Sequence, residues 1–156
     1  MPTAAETPHD SEVVRREVRI AAAPETVFEF LTDATKRVRW AGTHAESDPR
    51  LGGAHRTVIN PGHIVSGEYV EVLRHRRVVC TWGWIDSPAM PPGSTVVQFD
   101  LAPDGSGTVL RVAHAMLPEA AREGHGEVWD HYLSRLAAAA AGGDPGPDPW
   151  AGATES

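Results

Sequence analysis

A chain of 156 residues with 41 % hydrophobic content has room for one folded domain with its own core and hardly for two. Its net charge of −7 argues against nucleic acid or an anionic membrane surface as partner, because both need clustered Lys and Arg. The single cysteine, Cys80, excludes an internal disulfide and a cysteine-built zinc cluster, and no apolar run approaches the ~20 residues of a membrane-spanning helix. Residues 1–12 are polar and Pro-containing, without the basic and apolar segments of a secretory signal, and read as a flexible tail on a cytoplasmic protein. Residues 13–20 place Val14, Val18 and Ile20 on one face and predict a half-buried strand. Pro24 and Glu25 suit the start of a helix, and Val27, Phe28 and Leu31 follow at helical spacing, so two short helices are expected over 24–40. Alternating runs at 43–48, 54–60, 64–73, 77–85, 94–102 and 107–116 predict six further strands. Turn residues such as Asn60-Pro61-Gly62 and Asp104-Gly105 separate them, and the short connections imply an antiparallel meander. Pro118 and Glu119 open a terminal helix that Gly142-Gly143 closes. Gly124 and Gly126 weaken its start, so a break or a separate short helix over 118–123 is expected. The domain is expected to span 13–141, followed by a flexible Gly/Pro-rich tail over 142–156 in which Trp150 has no assigned role.

Parity along each strand sorts side chains by face. Val78, Cys80, Trp82 and Trp84 share one face, as do Thr95, Val97, Phe99 and Leu101, and Leu110, Val112, His114 and Met116. In the terminal helix His125, Trp129, Tyr132 and Leu136 form one stripe. A lone helix with a large aromatic face must be buried, and only the sheet is available to bury it. Trp82, Trp84, Phe99, Met116, Trp129 and Tyr132 would then converge, and aromatics with polar tips suit a cavity for a ring-shaped or acyl ligand. Glu68 and Tyr69 lie on opposite faces of their strand and the pattern fits both registers, with Tyr69 preferred inward. Cys80, within an apolar run, reads as a buried small hydrophobe.

His114, His125 and Tyr132 could form a polar cluster suited to proton transfer beside an enolisable carbonyl, with His114 and Tyr132 as the candidate catalytic pair. The alternative for His114 is a histidine hydrogen-bonded within the core. The eight His show no metal-ligand spacing, Gly52-Gly53 lacks the helix and Lys of a phosphate loop, and no nucleophile elbow is present. Neither a metal nor a cofactor is expected.

Six segments in order carry a resemblance: RIAAAPETVFEFLTDATKRVRW at 19–40, DPRLGGAHR at 48–56, VSGEYVEV at 65–72, RRVVCTWGW at 76–84, PDGSGTVLRVAH at 103–114 and HGEVWDHYLSRLAA at 125–138. They resemble the SRPBCC superfamily, also called START-like or polyketide-cyclase-like. Within it they look most like the branch named after the activator of the heat-shock-chaperone ATPase. The resemblance implies an α+β helix-grip fold: a curved antiparallel sheet of six to seven strands wrapped around a long C-terminal helix, with two short helices after the first strand. It also implies a cavity between sheet and helix. Many relatives carry a second Trp after the Arg-Trp pair, whereas Arg39-Trp40 is followed here by Ala41-Gly42, which would open the cavity near Trp40. Expected ligand contacts are Trp40, Tyr69, Trp82, Trp84 and Phe99 from the first part of the chain, and His114, Met116, His125, Trp129 and Tyr132 from the last. The fold leaves three functions open. The first is binding or carriage of an apolar small molecule (lipid, aromatic or polyketide-like); the second is an acid–base enzyme of the polyketide cyclase or dehydratase type; the third is a protein-binding module like a chaperone-ATPase cofactor. Exposed strand edges also allow a homodimer.

Overall fold

A computed structural model of the chain describes residues 13–149. The elements in order are β1 (Val13–Ile20), α1 (Pro24–Thr32), α2 (Ala34–Arg37), β2 (His44–Ser47), β3 (Ala54–Asn60), β4 (His63–Leu73), β5 (Arg77–Trp84), β6 (Thr95–Asp104), β7 (Gly107–Ala115) and α3 (Glu119–Ala140). All seven strands join one antiparallel sheet in the order β1-β7-β6-β5-β4-β3-β2. From β2 to β7 each strand pairs with its neighbour in sequence, and β1 closes on β7 at the far edge. The connection through α1 and α2 therefore crosses from one edge of the sheet to the other. Residues 1–12 and 150–156, the expected N-terminal tail and Trp150 among them, lie outside the described residues.

Pro24 opens α1, where a missing N–H costs nothing. Asp33 ends it and starts α2, its carboxylate accepting from the Thr35 N–H at 2.8 Å and the Thr35 hydroxyl at 2.7 Å. Those bonds hold the Asp33 carboxyl below its usual range. This corner fixes the direction of α2 and so the position of Arg37.

Alternation is clean along β6, where Thr95, Val97, Phe99 and Leu101 are buried and their neighbours are not. β7 repeats it with Leu110, Val112 and His114, and β5 with Val78, Cys80 and Trp82. These faces and the buried stripe of α3 (Trp129, Tyr132, Leu133, Leu136, Ala139) belong to one apolar cluster. In β4 the register resolves with Tyr69 buried and Glu68 exposed. The β4–β5 pairing is irregular there, and a Cβ on Gly67 would lie 1.9 Å from the Thr81 carbonyl oxygen, so only glycine permits this approach.

Three expectations are corrected. Met116 is 63 % exposed instead of inward, because strand pairing ends at Ala115 and Met116 adopts φ +70°, which turns the chain and gives the buried place to Leu117. α3 runs unbroken from Glu119 through both glycines. Gly126 is where β1 docks: a Cβ there would stand 2.5 Å from Arg16 Nη2, while Arg16 Nε donates to Asp130 at 2.6 Å. The residues after the helix carry no regular structure, as Gly and Pro dictate, but 144–148 are not a loose tail. Asp148 is 9 % exposed and its carboxylate accepts from the Tyr132 hydroxyl at 2.6 Å and from His131 Nε2 at 2.9 Å. Arg135 donates to the carbonyls of Gly146 at 2.8 Å and Trp40 at 3.0 Å. Proline and glycine remove ladder hydrogen bonds without removing the chance to dock through side chains. No helix among the described residues is long and apolar enough to cross a membrane.

Candidate functional site

Sheet and α3 do not close on each other completely. Between them lies a cavity of about 340 Å³. One wall is aromatic: Trp82 and Trp84 from β5, Phe99 from β6, Trp129 from α3 and Trp40 from the turn after α2. The Trp82 and Trp84 rings meet edge to face at 4.9 Å, and Phe99 and Trp129 at 5.8 Å. Three polar atoms of this side are engaged by protein. Trp40 Nε1 donates to the Phe30 carbonyl at 2.8 Å, Trp129 Nε1 to His114 Nδ1 at 3.1 Å, and the Tyr132 hydroxyl to Asp148. Tyr132 lines the cavity as a hydrogen-bonded phenol whose pKa is raised by burial and by the Asp148 carboxylate.

Of the ten expected contact residues, Trp40, Trp82, Trp84, Phe99, Trp129 and Tyr132 lie on the wall, and Tyr69, His114, Met116 and His125 do not. His114 is fully buried. Because Trp129 can only donate, His114 Nδ1 accepts and the ring proton sits on Nε2. Nε2 then donates to Thr95 Oγ1 at 2.9 Å, and Thr95 donates to the Trp82 carbonyl at 2.6 Å. Both ring nitrogens are spent. Burial, with a smaller contribution from His125, pushes the His114 pKa down to about 3. This is a histidine hydrogen-bonded within the core through both ring nitrogens. His125 packs on Trp82 at 5.2 Å and on His114 at 5.4 Å, with its pKa lowered by burial. Tyr69 donates to Ser47 Oγ at 2.6 Å, since the Ser47 hydroxyl is itself given to the Thr32 carbonyl.

The opposite wall was not anticipated. It consists of Arg37 from α2, His55, Thr57 and Asn60 from β3, and His63 from β4. His55 is 2 % exposed and its Nε2 lies 2.8 Å from the Thr81 carbonyl oxygen, which can only accept, so Nε2 carries the proton. Nδ1 is left as a bare acceptor, buried and without a hydrogen-bond partner. Burial, and then the Arg37 charge, press the His55 pKa down to about 4. Arg37 donates to the Leu31 carbonyl at 2.5 Å and to Thr57 Oγ1 at 3.0 Å, and its guanidinium lies 5.5 Å from the Trp40 ring centroid. His55 and Thr57 are two apart on β3, the one signal that could have placed them together, but Val58 and Ile59 spoil the alternation. Cys80 also lines the cavity, and burial raises its thiol to about 12, so it is a hydrophobe there and not a nucleophile. Among the described residues no three His, Cys, Asp or Glu side chains are grouped to hold a metal ion.

Comparison with known proteins agrees with the geometry. The chain is similar to the AHSA1-like protein RHE_CH02687 from Rhizobium etli: 44 % identity, a TM-score of 0.71, and coverage of 92 % of this chain and 91 % of that one. DynU16, a protein of the dynemicin biosynthetic locus, superposes with a TM-score of 0.77 at 22 % identity over 89 % of this chain. That match covers 51 % of DynU16, so the chain spans about half its length. The Aha1 dimer from Colwellia psychrerythraea gives 0.74 at 17 % identity, over 84 % of this chain and 97 % of that one. At such identities the last two likenesses speak for the fold alone. No curated protein matches the chain. The model of the family described as "Activator of Hsp90 ATPase homolog 1-like protein" matches residues 21–141, nearly the whole helix-grip unit, and the chain belongs to that family, a branch of the SRPBCC superfamily.

Proposed function

We propose that this protein binds and carries an apolar small molecule, lipid, aromatic or polyketide-like, between its sheet and α3. One observation carries the reading: a cavity of about 340 Å³ with one aromatic wall, on which Trp40, Trp129 and Tyr132 already spend their polar atoms on protein groups. Small-molecule sites fall in the range of roughly 300–1,000 Å³ and are mostly apolar with a few placed polar groups. Such a wall offers mainly dispersion and area burial. Acid–base catalysis finds less support, because the groups that would exchange protons are held neutral or fully bonded. Chaperone-ATPase activation, which the family description names, would need a protein-docking surface, and pull-down with the chaperone tests it. The carrier is taken to act in the cytoplasm, as a monomer or as a homodimer through an exposed sheet edge.

Native mass spectrometry of the gently purified chain should retain an apolar mass at one per chain. Ala41, a buried cavity residue, offers the control. Ala41→Trp fills the space and should remove that mass while the circular dichroism spectrum is unchanged. A wild-type chain that never carries or takes up an apolar probe would sink the reading.

A further inference from the structure

Resting on the cavity being a ligand site, we propose that its ligands are organic acids: an apolar body lies against the tryptophans, and a carboxylate is received by Arg37. The cavity wall includes no Asp or Glu, and Arg37 is its one permanent cation. Four other arginines pair with acids: Arg16 with Asp130, Arg19 with Asp104, Arg77 with Asp100 and Arg111 with Glu17. Arg37, half-buried, meets neutral groups, the Leu31 carbonyl, the Thr57 hydroxyl and the Tyr69 hydroxyl. Its Nε is buried without a partner. A buried N–H of a guanidinium left without an acceptor is costly unless a partner arrives.

No other wall group supplies that partner. Cys80 stays a thiol, Tyr132 stays a phenol bonded to Asp148, and His55 stays neutral. The guanidinium is also held in place before any ligand comes. Two bonds and the Trp40 ring fix its plane, and they leave N–H groups over for a carboxylate. In a site largely walled by hydrocarbon, a charge-assisted pair of this kind is stronger than at the surface. On the same wall the Thr57 hydroxyl can donate to a further ligand oxygen, and the bare Nδ1 of His55 can accept from a ligand hydroxyl.

The test uses the full chain with 2-naphthoate and its uncharged isostere 2-naphthamide, read by calorimetry and by quenching of tryptophan fluorescence at pH 7. Naphthoate should bind at least about tenfold more tightly than naphthamide. Arg37→Gln should bring the two affinities to within about threefold of each other. Arg37→Lys should keep the preference for the acid but shrink it, since charge remains and the planar fork is lost. If Arg37→Gln does not fold, the wild-type ratio and the Arg37→Lys ratio decide. Equal binding of acid and amide to the wild type, or a preference that survives Arg37→Gln, overturns the assignment to Arg37 and leaves the cavity reading intact. Binding of neither compound overturns the inference together with the reading beneath it.

Discussion

Two buried histidines, one on each side of the interior, have nearly the same environment and opposite chemical standing. His114 on β7 and His55 on β3 are both inaccessible, both neutral at pH 7 and both hydrogen-bonded through Nε2. His114 has its second nitrogen satisfied by Trp129, whereas the second nitrogen of His55 has no partner. His114 is therefore chemically closed, and the β3 side, with Arg37, keeps buried polar atoms without a partner. Burial alone does not separate the two histidines; the unspent valence of His55 does.

That contrast breaks most easily at His114. His114→Ala removes a fully buried ring and orphans the Trp129 N–H, so urea denaturation should show a loss of about 3–5 kcal/mol. His55→Phe keeps a planar ring, slightly larger, and gives up one bond, so about 1–3 kcal/mol is expected, with altered naphthoate affinity. The reverse order, or lost binding in His114→Ala without lost stability, would make His114 the ligand residue. Acid probes both histidines together. Their folded pKa values of about 3 and about 4 lie below the ordinary 6.5, so between these limits the unfolded chain holds protons that the folded chain does not. Stability should thus be full above pH 6.5 and fall as pH drops, each histidine contributing on the order of 1.4 kcal/mol per pH unit until its folded pKa is reached. Denaturation midpoints that stay level from pH 7 to pH 5 would contradict this. Tyr132→Phe, which deprives the buried Asp148 of a donor, should cost about 1–2 kcal/mol and speed hydrogen exchange in residues 144–148. At the small end, Glu17→Gln breaks the exposed pair with Arg111 and should shift stability by less than about 0.5 kcal/mol.

The aromatic side was legible in the sequence because packing leaves a periodic mark. Thr95, Val97, Phe99 and Leu101 announce their face by alternation alone, and the turn residues bound every strand closely. Met116 was misplaced because parity carries no warning of a left-handed residue at a strand end. Gly126 suggested a break in α3 because propensity does not know that Arg16 needs room beside the helix, and nothing in the structure explains Gly124. The β3 side was illegible for a different reason. On β3, His55 and Thr57 resemble an ordinary solvent face, and Arg37 resembles any surface charge, until the sheet curls α2 and β3 over the same space. Polar residues in a cavity follow the ligand, not the period of the backbone.

Composition also invites the stretch after α3 to be trimmed as linker. Yet Arg135 joins the backbone of Trp40 to that of Gly146, and Asp148 holds the Tyr132 hydroxyl, so this stretch braces two residues of the cavity wall from outside. A chain shortened before Asp144 would lose that brace, and a fluorescent label attached near Asp148 would report on filling of the cavity. The segment that least resembles structure is thus the natural place to listen for a ligand arriving.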